Sequence, residues 1–402
     1  MRFAIFTHVQ HCERRGKFYA YSPYVREMNL WLKHVSEVEV LAPGSKKGEM
    51  ENSGLPYHHS NLSFTSIPSF NFLKIASIIR AVLIIPIIFF RIIRSMRKAD
   101  HLHLRCPGNI GLLACICQIF FPNKPKTAKY AGNWDPEAKQ PWTYNLQKWI
   151  LTNTFLTRNM KVLVYGEWPN QTKNIFPFFT ASFCETEKEV VEKEFTQPYR
   201  FLFVGNLVEG KQPLFALQFV VAFNEERNIK AEIHIYGDGP LFNNLEKEAQ
   251  NKDYIHLYGS QPLSLLKQAY KEAHFLILAS KSEGWPKAVA EGMFFGCIPI
   301  ATAVSCVPFI LGGGSRGIIT QRIDEREEES KDWNVESQSM FKKKESGLKT
   351  ENSPVVLEKT LERVICLLKD AQEMRRMSKE AQQWSQEYTL EKFEVEIIKI
   401  LQ

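Results

Sequence analysis

Short apolar runs recur along this chain, each followed by a longer amphipathic stretch, and that alternation restricts the fold more than any other feature. FAIFTHV, VEVLAP, HLHLR, KTAKYAG and KVLVYG lie in the first half, and RFLFVG, AEIHIYG, YIHLYG, HFLILAS and CIPIAT in the second. Short apolar runs suit buried strands, and the helical stretches between them suit crossovers, so each half predicts a mostly parallel βα sheet. Several runs end in Gly or a small polar residue, at the carboxyl ends where such sheets bind ligands. At 402 residues, a prior of roughly 150 residues per domain gives two domains. The joint falls in CETEKEVVEKEFTQPY, Cys184 to Tyr199, a charged stretch with no strand-like run. The expected organisation is a first domain over 1–184, a second over 198–370, and terminal helices over 371–402, available to pack back on the first domain. Those helices follow from 3.6-residue periodicity, with Asp370 and Glu373 at capping-box spacing. From Asp324 to Ser353 the acidic DEREEE precedes the basic KKK, which reads as a solvated insertion.

With 44% hydrophobic and 24% charged residues, disorder and fibrous structure are excluded. Lys and Arg exceed Asp and Glu by 51 to 44, a surplus of seven that suits an anionic ligand or membrane surface but is too mild to indicate nucleic acid. The eight cysteines are scattered and lack zinc or redox spacing, so they are expected to be reduced in the cytoplasm. MRFAIFTHV lacks the apolar length and cleavage site of an export signal and reads as a first strand. In SIIRAVLIIPIIFFRIIRSMRK the longest uncharged run, Ala81 to Phe90, has ten residues, about half of what a bilayer requires. Arg80, Arg91, Arg94 and Lys98 fall on one side of this stretch, with Lys74 farther round. Two readings stand: an interfacial helix on anionic lipid, at the inner face of the plasma membrane, or an ordinary sheet-covering helix with solvated arginines. Pro86 would kink either.

SEGWPKAVAEG places Glu283 and Glu291 eight positions apart across a turn and the opening of a helix. Pro286 suits the first helical position and Gly296 the C′ position, so the helix is expected from Pro286 to Phe295. Val289, Ala290, Met293 and Phe294 would form its buried stripe, while Lys287 and Glu291 share another face. A helix N-terminus offers N–H groups and a positive dipole end to phosphate, and a carboxylate accepts hydrogen bonds from a vicinal diol. Together these describe a nucleotide-sugar site. The plainer reading is that Glu283 caps the helix and Glu291 pairs with Lys287 on a solvated face.

SEGWPKAVAEGMFFGCIPIAT resembles the E(x7)E segment of retaining glycosyltransferase family 4, one of the group 1 glycosyl transferases, with Glu283 and Glu291 at the matching spacing. GNLVEGK, 205–211, is similar to the family's G-R-x-x-x-x-K segment, and YGDGP, 236–240, to its G-x-G-P turn, all three in the family's order. The resemblance implies an α/β, GT-B fold of two facing Rossmann-like domains with a cleft between them. It implies that Glu291 binds ribose, Glu283 the donor sugar, and Lys211 the diphosphate, with Gly205, Asn206, Gly237, Gly239, Gly284 and Lys287 lining the donor site. Asn206 departs from the pattern, standing where the family usually has Arg, and Lys287 or Arg105 is the expected substitute. Pro286 is a second departure, at a position often occupied by Gly.

The first domain is expected to supply the acceptor site. HLHLRCPGN delivers His103, Arg105 and Asn109 near a strand end, and KTAKYAGNWDP delivers a polar turn. His103 and Arg105 join Glu283 as the expected catalytic residues. His103 also alternates with Leu102 and Leu104, as an inward-facing core histidine would, and the same choice applies to His8. Gly16 is expected to allow close approach of the donor phosphates, as in the family's first glycine-rich loop. The family's retaining transfer is usually understood to need no protein nucleophile, the departing diphosphate assisting attack on the same face. No metal-ligand cluster or DxD segment is apparent, so no metal and no cofactor is expected beyond the nucleotide-sugar substrate. The expected activity is retaining transfer of a sugar from a nucleotide-diphosphate donor to a glycan or lipid-linked acceptor, in bacterial surface polysaccharide or lipopolysaccharide synthesis. The alternatives are a non-catalytic nucleotide-sugar-binding GT-B subunit and a nucleotide-sugar epimerase.

Overall fold

Each half of the chain builds one parallel sheet. The structure is a computed structural model, described for residues 1–45, 54–69, 75–225, 227, 229–322 and 353–402, with side chains at 75–82 and 353–354 excepted. Lys74, the side chain of Arg80 and the charged stretch from Asp324 to residue 352 fall outside it.

The first half contains β1 (Arg2–Phe6), β2 (His11–Arg14), β3 (Lys17–Tyr21), α1 (Ser22–Leu32), β4 (Glu37–Pro43), β5 (Gly54–Pro56) and β6 (Leu62–Ile67). It continues with α2 (Ile75–Lys98), β7 (His101–Cys106), α3 (Asn109–Cys117), β8 (Lys126–Tyr130), α4 (Trp142–Thr152), β9 (Met160–Tyr165) and β10 (Ile175–Phe178). The second half contains β11 (Tyr199–Val204), α5 (Pro213–Glu225), β12 (Ala231–Tyr236), α6 (Phe242–Ala249), β13 (Ile255–Leu257), α7 (Leu263–Glu272) and β14 (Phe275–Leu278). There follow α8 (Lys287–Phe294), β15 (Ile298–Thr302), α9 (Val307–Ile310), β16 (Ile318–Thr320), α10 (Ser353–Leu368), α11 (Ala371–Ser385) and α12 (Leu390–Leu401).

The first sheet runs β10-β9-β8-β7-β1-β4-β6 and the second β13-β12-β11-β14-β15-β16. Both start in the middle, step outward to one side, then return to the other. That is the doubly wound order, whose direction reverses between β1 and β7 in the first sheet and between β11 and β14 in the second, at the points where such sheets bind ligands. A small antiparallel sheet, β2-β3-β5, accompanies the first and was not expected from the sequence.

The chain divides into two compact units, 1–185 with 388–402, and 186–387. The stretch 371–402, which its sequence groups as one set of helices, is therefore split: α11 stays with the second unit and α12 belongs to the first. The first core is lined by β1, β7, β8 and β9, with α3 almost wholly buried. The second is aromatic, with Phe201 and Phe275 stacked at 5.0 Å and Phe219 and Phe223 of α5 beside them. No helix among the described residues is long and apolar enough to cross a membrane.

Candidate functional site

The switch point of the second sheet gathers three turns. After β11 comes the stretch 205–212, after β12 the turn 237–241, and after β14 the turn 279–286. Backbone bonds tie them together: Leu207 N–H donates to Asp238 O at 2.9 Å, and Lys281 N–H to Gly210 O at 2.9 Å. The first two turns lie so close that a Cβ on Gly237 would sit 1.8 Å from Gly205 O, and one on Gly239 would sit 2.6 Å from Leu207 O. These glycines therefore do more than permit a tight turn, because no side chain fits between the two backbones.

Lys211 and Glu283 meet across this point. Lys211 Nζ forms an ion pair and hydrogen bond with Glu283 Oε1, with the carboxylate side chain 7% exposed and the lysine 30%. The diphosphate-binding lysine and the sugar-binding carboxylate of the sequence reading are thus one pair in this structure. Burying a charge is costly unless it is paired, so Glu283 fixes where the Lys211 cation stands. Glu283 is not a helix cap, because no side chain caps α8. Helix α8 begins one residue later than expected, with Pro286 at the N-cap, and Gly296 at φ +78° follows its end. Val289, Met293 and Phe294 form the buried stripe, joined by Gly292, while Ala290 is half-buried. Gly292 lets α8 sit against β14, since a Cβ there would come 3.0 Å from Leu276 Cδ1.

Glu291 has a partner that sequence reasoning missed. The Tyr270 hydroxyl, on α7, donates to Glu291 Oε2 at 2.8 Å. Burial first, and the Glu291 charge second, push the Tyr270 phenol well above its usual value, so it remains a donor. The turn before α8 is also held. Gly284 O accepts from Ser305 Oγ at 3.2 Å and from Cys306 Sγ at 3.1 Å, and Trp285 stacks on Trp384 at 6.3 Å. Lys287 is the first residue of α8 and half-buried, while Asn206 is exposed on the turn after β11.

The first unit corrects three expectations. His103 is 0% exposed in β7, its ring between Phe3 and Trp31 and its Nδ1 2.8 Å from Thr127 Oγ1. Burial drives its pKa well below the usual value, so it is a neutral core histidine and not a catalytic group. Arg105 donates to Glu27 Oε1 at 3.0 Å and lies over the Tyr24 ring, so its guanidinium is held within the first unit. Gly16 and Arg15, at φ +73° and +50°, form the two-residue turn of the β2–β3 hairpin, and Gly16 is not part of the loop after β1. The residue at the switch point of this sheet is His8, exposed after β1 and so close to the N-terminus of α3 that a Cβ on Gly108 would come 2.7 Å from its Nδ1. Its surroundings, then the Arg105 charge, lower its pKa. Asn109, the first residue of α3, follows Gly108 directly.

The sequence model described as Glycosyl transferases group 1 matches residues 185–330, which span all three turns. That match covers 146 of the 402 residues, nearly all of them in the second unit. Solved structures similar to the whole chain are GT-B proteins. HepE of Anabaena, in complex with UDP and glucose, is 13% identical, with TM-score 0.59 and 100% of this chain and 99% of that chain covered. The sucrose-phosphate synthase of Thermosynechococcus elongatus is 13% identical, with TM-score 0.59 and coverages of 100% and 98%. TarM is 13% identical at TM-score 0.52; 79% of this chain aligns with 58% of TarM, so the chain spans less than two thirds of that relative's length. No curated protein sequence matches the chain. These likenesses establish the fold as GT-B, with two Rossmann-like sheets.

Proposed function

We propose that this GT-B protein is a retaining glycosyltransferase that moves a sugar from a nucleoside-diphosphate donor to a glycan or lipid-linked acceptor, in the assembly of a bacterial surface polysaccharide or lipopolysaccharide. The observation that carries the reading is the Lys211–Glu283 pair across the β11/β14 switch point, joined by the N-terminus of α8, within a group 1 domain. In the transfer, the acceptor hydroxyl oxygen bonds to the anomeric carbon as the bond to the diphosphate breaks. The bonding pair leaves with the diphosphate, whose oxygen takes the hydroxyl proton. The protein's task is electrostatic. Lys211, Lys287 and the first N–H groups of α8 face charge that grows on the leaving phosphate, and in a dry site fixed dipoles need not reorganise. With Asn206 exposed and Arg105 held by Glu27, Lys287, the first residue of α8, takes the place of the absent family arginine. Glu291, steadied by Tyr270, accepts from the ribose hydroxyls.

HepE was solved with UDP and glucose, which makes uridine diphosphate sugars the first donors to test. Calorimetry with a panel of nucleoside diphosphates and their sugars is expected to find one that binds, and Glu291→Ala to weaken it by about 1–3 kcal/mol, the range for losing a charged hydrogen-bond acceptor. Equal binding by Glu291→Ala, or no binding at all, overturns the donor site. Donor binding without transfer indicates a binding subunit, and interconversion of the donor without acceptor indicates an epimerase.

A lipid-linked acceptor calls for contact with a membrane surface, and α2 supports one. Leu83, Ile87 and Phe90, at i, i+4 and i+7, are 70%, 51% and 65% exposed. Arg94 continues that face and, with Arg97 and Lys98, gives it an exposed basic end. Phe120, 65% exposed, adds to the apolar area beside Phe89. Apolar residues entering the interface and cations on anionic headgroups, at about 1 kcal/mol each near the surface, would hold the protein peripherally. The protein is expected to float with anionic vesicles and not with zwitterionic ones, and Ile87→Asp with Phe90→Asp to abolish flotation. Equal flotation by the double variant assigns the contact elsewhere.

A further inference from the structure

The two faces of the second sheet carry different chemistry. On β12, Ile233 and Ile235 point into the aromatic core beside α5, whereas Glu232, His234 and Tyr236 alternate onto the opposite face. Parallel register sets His234 beside His256 of β13. Their rings lie 4.7 Å apart, and the Tyr258 ring stacks on His234 at 5.8 Å with an interplanar angle of 6°.

Three ligating atoms converge there. One donor atom from each of Glu232, His234 and His256 lies within 4.8 Å of the other two. His234 Nδ1 is 3.0 Å from the Tyr258 hydroxyl, which fixes the ring's orientation. Its Nε2 is a buried atom with no hydrogen-bond partner, 3.5 Å from Glu232 Oε2. A buried ring nitrogen whose carboxylate neighbour stands beyond ordinary hydrogen-bond length asks for an explanation. An imidazole held through one nitrogen by an outer partner, with the other nitrogen aimed at a carboxylate and a second imidazole, is the arrangement of a metal-binding histidine.

We propose that Glu232, His234 and His256 bind a divalent cation of the zinc type on the face of β12 and β13 away from α5. Two imidazoles and a carboxylate suit Zn²⁺, at about 2.0–2.2 Å each, with water in the remaining position. The set is too small and too rich in nitrogen for Mg²⁺ or Ca²⁺, which take at least about six oxygens or waters. Arg200 competes for the carboxylate, with Nε 3.7 Å from Glu232 Oε2, but its Nη1 lies 3.4 Å from Glu272 Oε2, a second partner that it keeps when Glu232 turns to a cation. The ion would tie the three-residue edge strand β13 to its neighbour. The site uses no residue of the donor pair.

The test is titration of the full-length, chelator-stripped protein with Zn²⁺ by calorimetry and with Co²⁺ by visible absorption. The wild type is expected to bind one ion at this site and to give the d–d bands of low-coordinate Co²⁺. His256→Ala and Glu232→Gln should lose the bands, and Tyr258→Phe, which removes only the outer hydrogen bond, should weaken binding by about 10- to 100-fold. The eight free cysteines are unchanged in every variant, so zinc held by thiols would survive all three substitutions. No bands in the wild type, or bands and affinity unchanged in Glu232→Gln and Tyr258→Phe, overturns the proposal. If circular dichroism shows that His256→Ala is unfolded, those two milder variants decide.

Discussion

Lys211→Ala is expected to lower kcat for sugar transfer by about 10²- to 10³-fold, the usual effect of removing one group that stabilises charge on an oxygen in the transition state. The reason lies in what holds the lysine. Glu283 is nearly buried and pairs with it, so the cation is fixed before substrate arrives and needs no reorganisation during the reaction. The substitution also leaves Glu283 buried without its counter-ion, which destabilises the turn after β14; exposure of Lys211 at 30% makes that penalty smaller than for a fully buried pair. Glu283→Gln separates the two effects. It keeps an acceptor for Lys211 and leaves no buried carboxylate without a counter-ion, the remaining lysine charge being partly exposed, so its melting temperature should stay near wild type while transfer falls. Single-turnover kinetics beside thermal unfolding reads both. Unchanged kcat in Lys211→Ala would mean that the pair only ties two turns together.

The second large effect is on stability. Gly237→Ala should destabilise the second unit by on the order of 3 kcal/mol or more, because the new methyl group must displace backbone and cannot be relieved by turning a side chain. The Cβ would stand 1.8 Å from Gly205 O, at a φ of +147° that side chains rarely adopt. For a unit of this size, that corresponds to a fall in Tm on the order of 10 °C. Gly210→Ala, in the neighbouring turn, is the control: nothing lies within 4 Å of its Cβ, and Tm should barely move. Equal melting of the two variants would show that the turns after β11 and β12 are not packed backbone to backbone.

The turn and helix that carry Glu283 and Glu291 were legible because they are local. A turn, a helix N-terminus and a closing glycine sit within fourteen consecutive residues, Glu283 to Gly296, and each has a chemical signature. The two doubly wound sheets were legible for a similar reason, through repeated apolar runs. The alternation of His103 with Leu102 and Leu104 read as a core histidine, as the structure has it, and its placement among the catalytic residues came only from its position near a strand end. In β7 both faces are covered, and every residue but Arg105 is buried. Gly16 misled because ERRGK carries none of the usual hairpin dipeptides, yet Arg15 takes a positive φ beside it. Tyr270 and Glu291 are 21 positions apart on different helices, and nothing in either segment announces the other. His234 and His256 lie on neighbouring strands, so the sequence shows no ligand spacing and the sheet register alone brings them together.

Helix α12 gives the first unit an unusual order of assembly. Phe393 packs on Phe178 at 5.2 Å, Glu394 pairs with Lys33 at 2.7 Å, and Leu390 N–H donates to Phe183 O at 2.9 Å. As the chain leaves the ribosome, residues 1–185 emerge first but lack this helix until roughly two hundred more have been made, a reversal of the usual N-terminal-first sequence. The 186–387 unit, uninterrupted in the chain, can therefore fold before the unit that precedes it is finished. In the interval the surface that later receives Phe393 stands open.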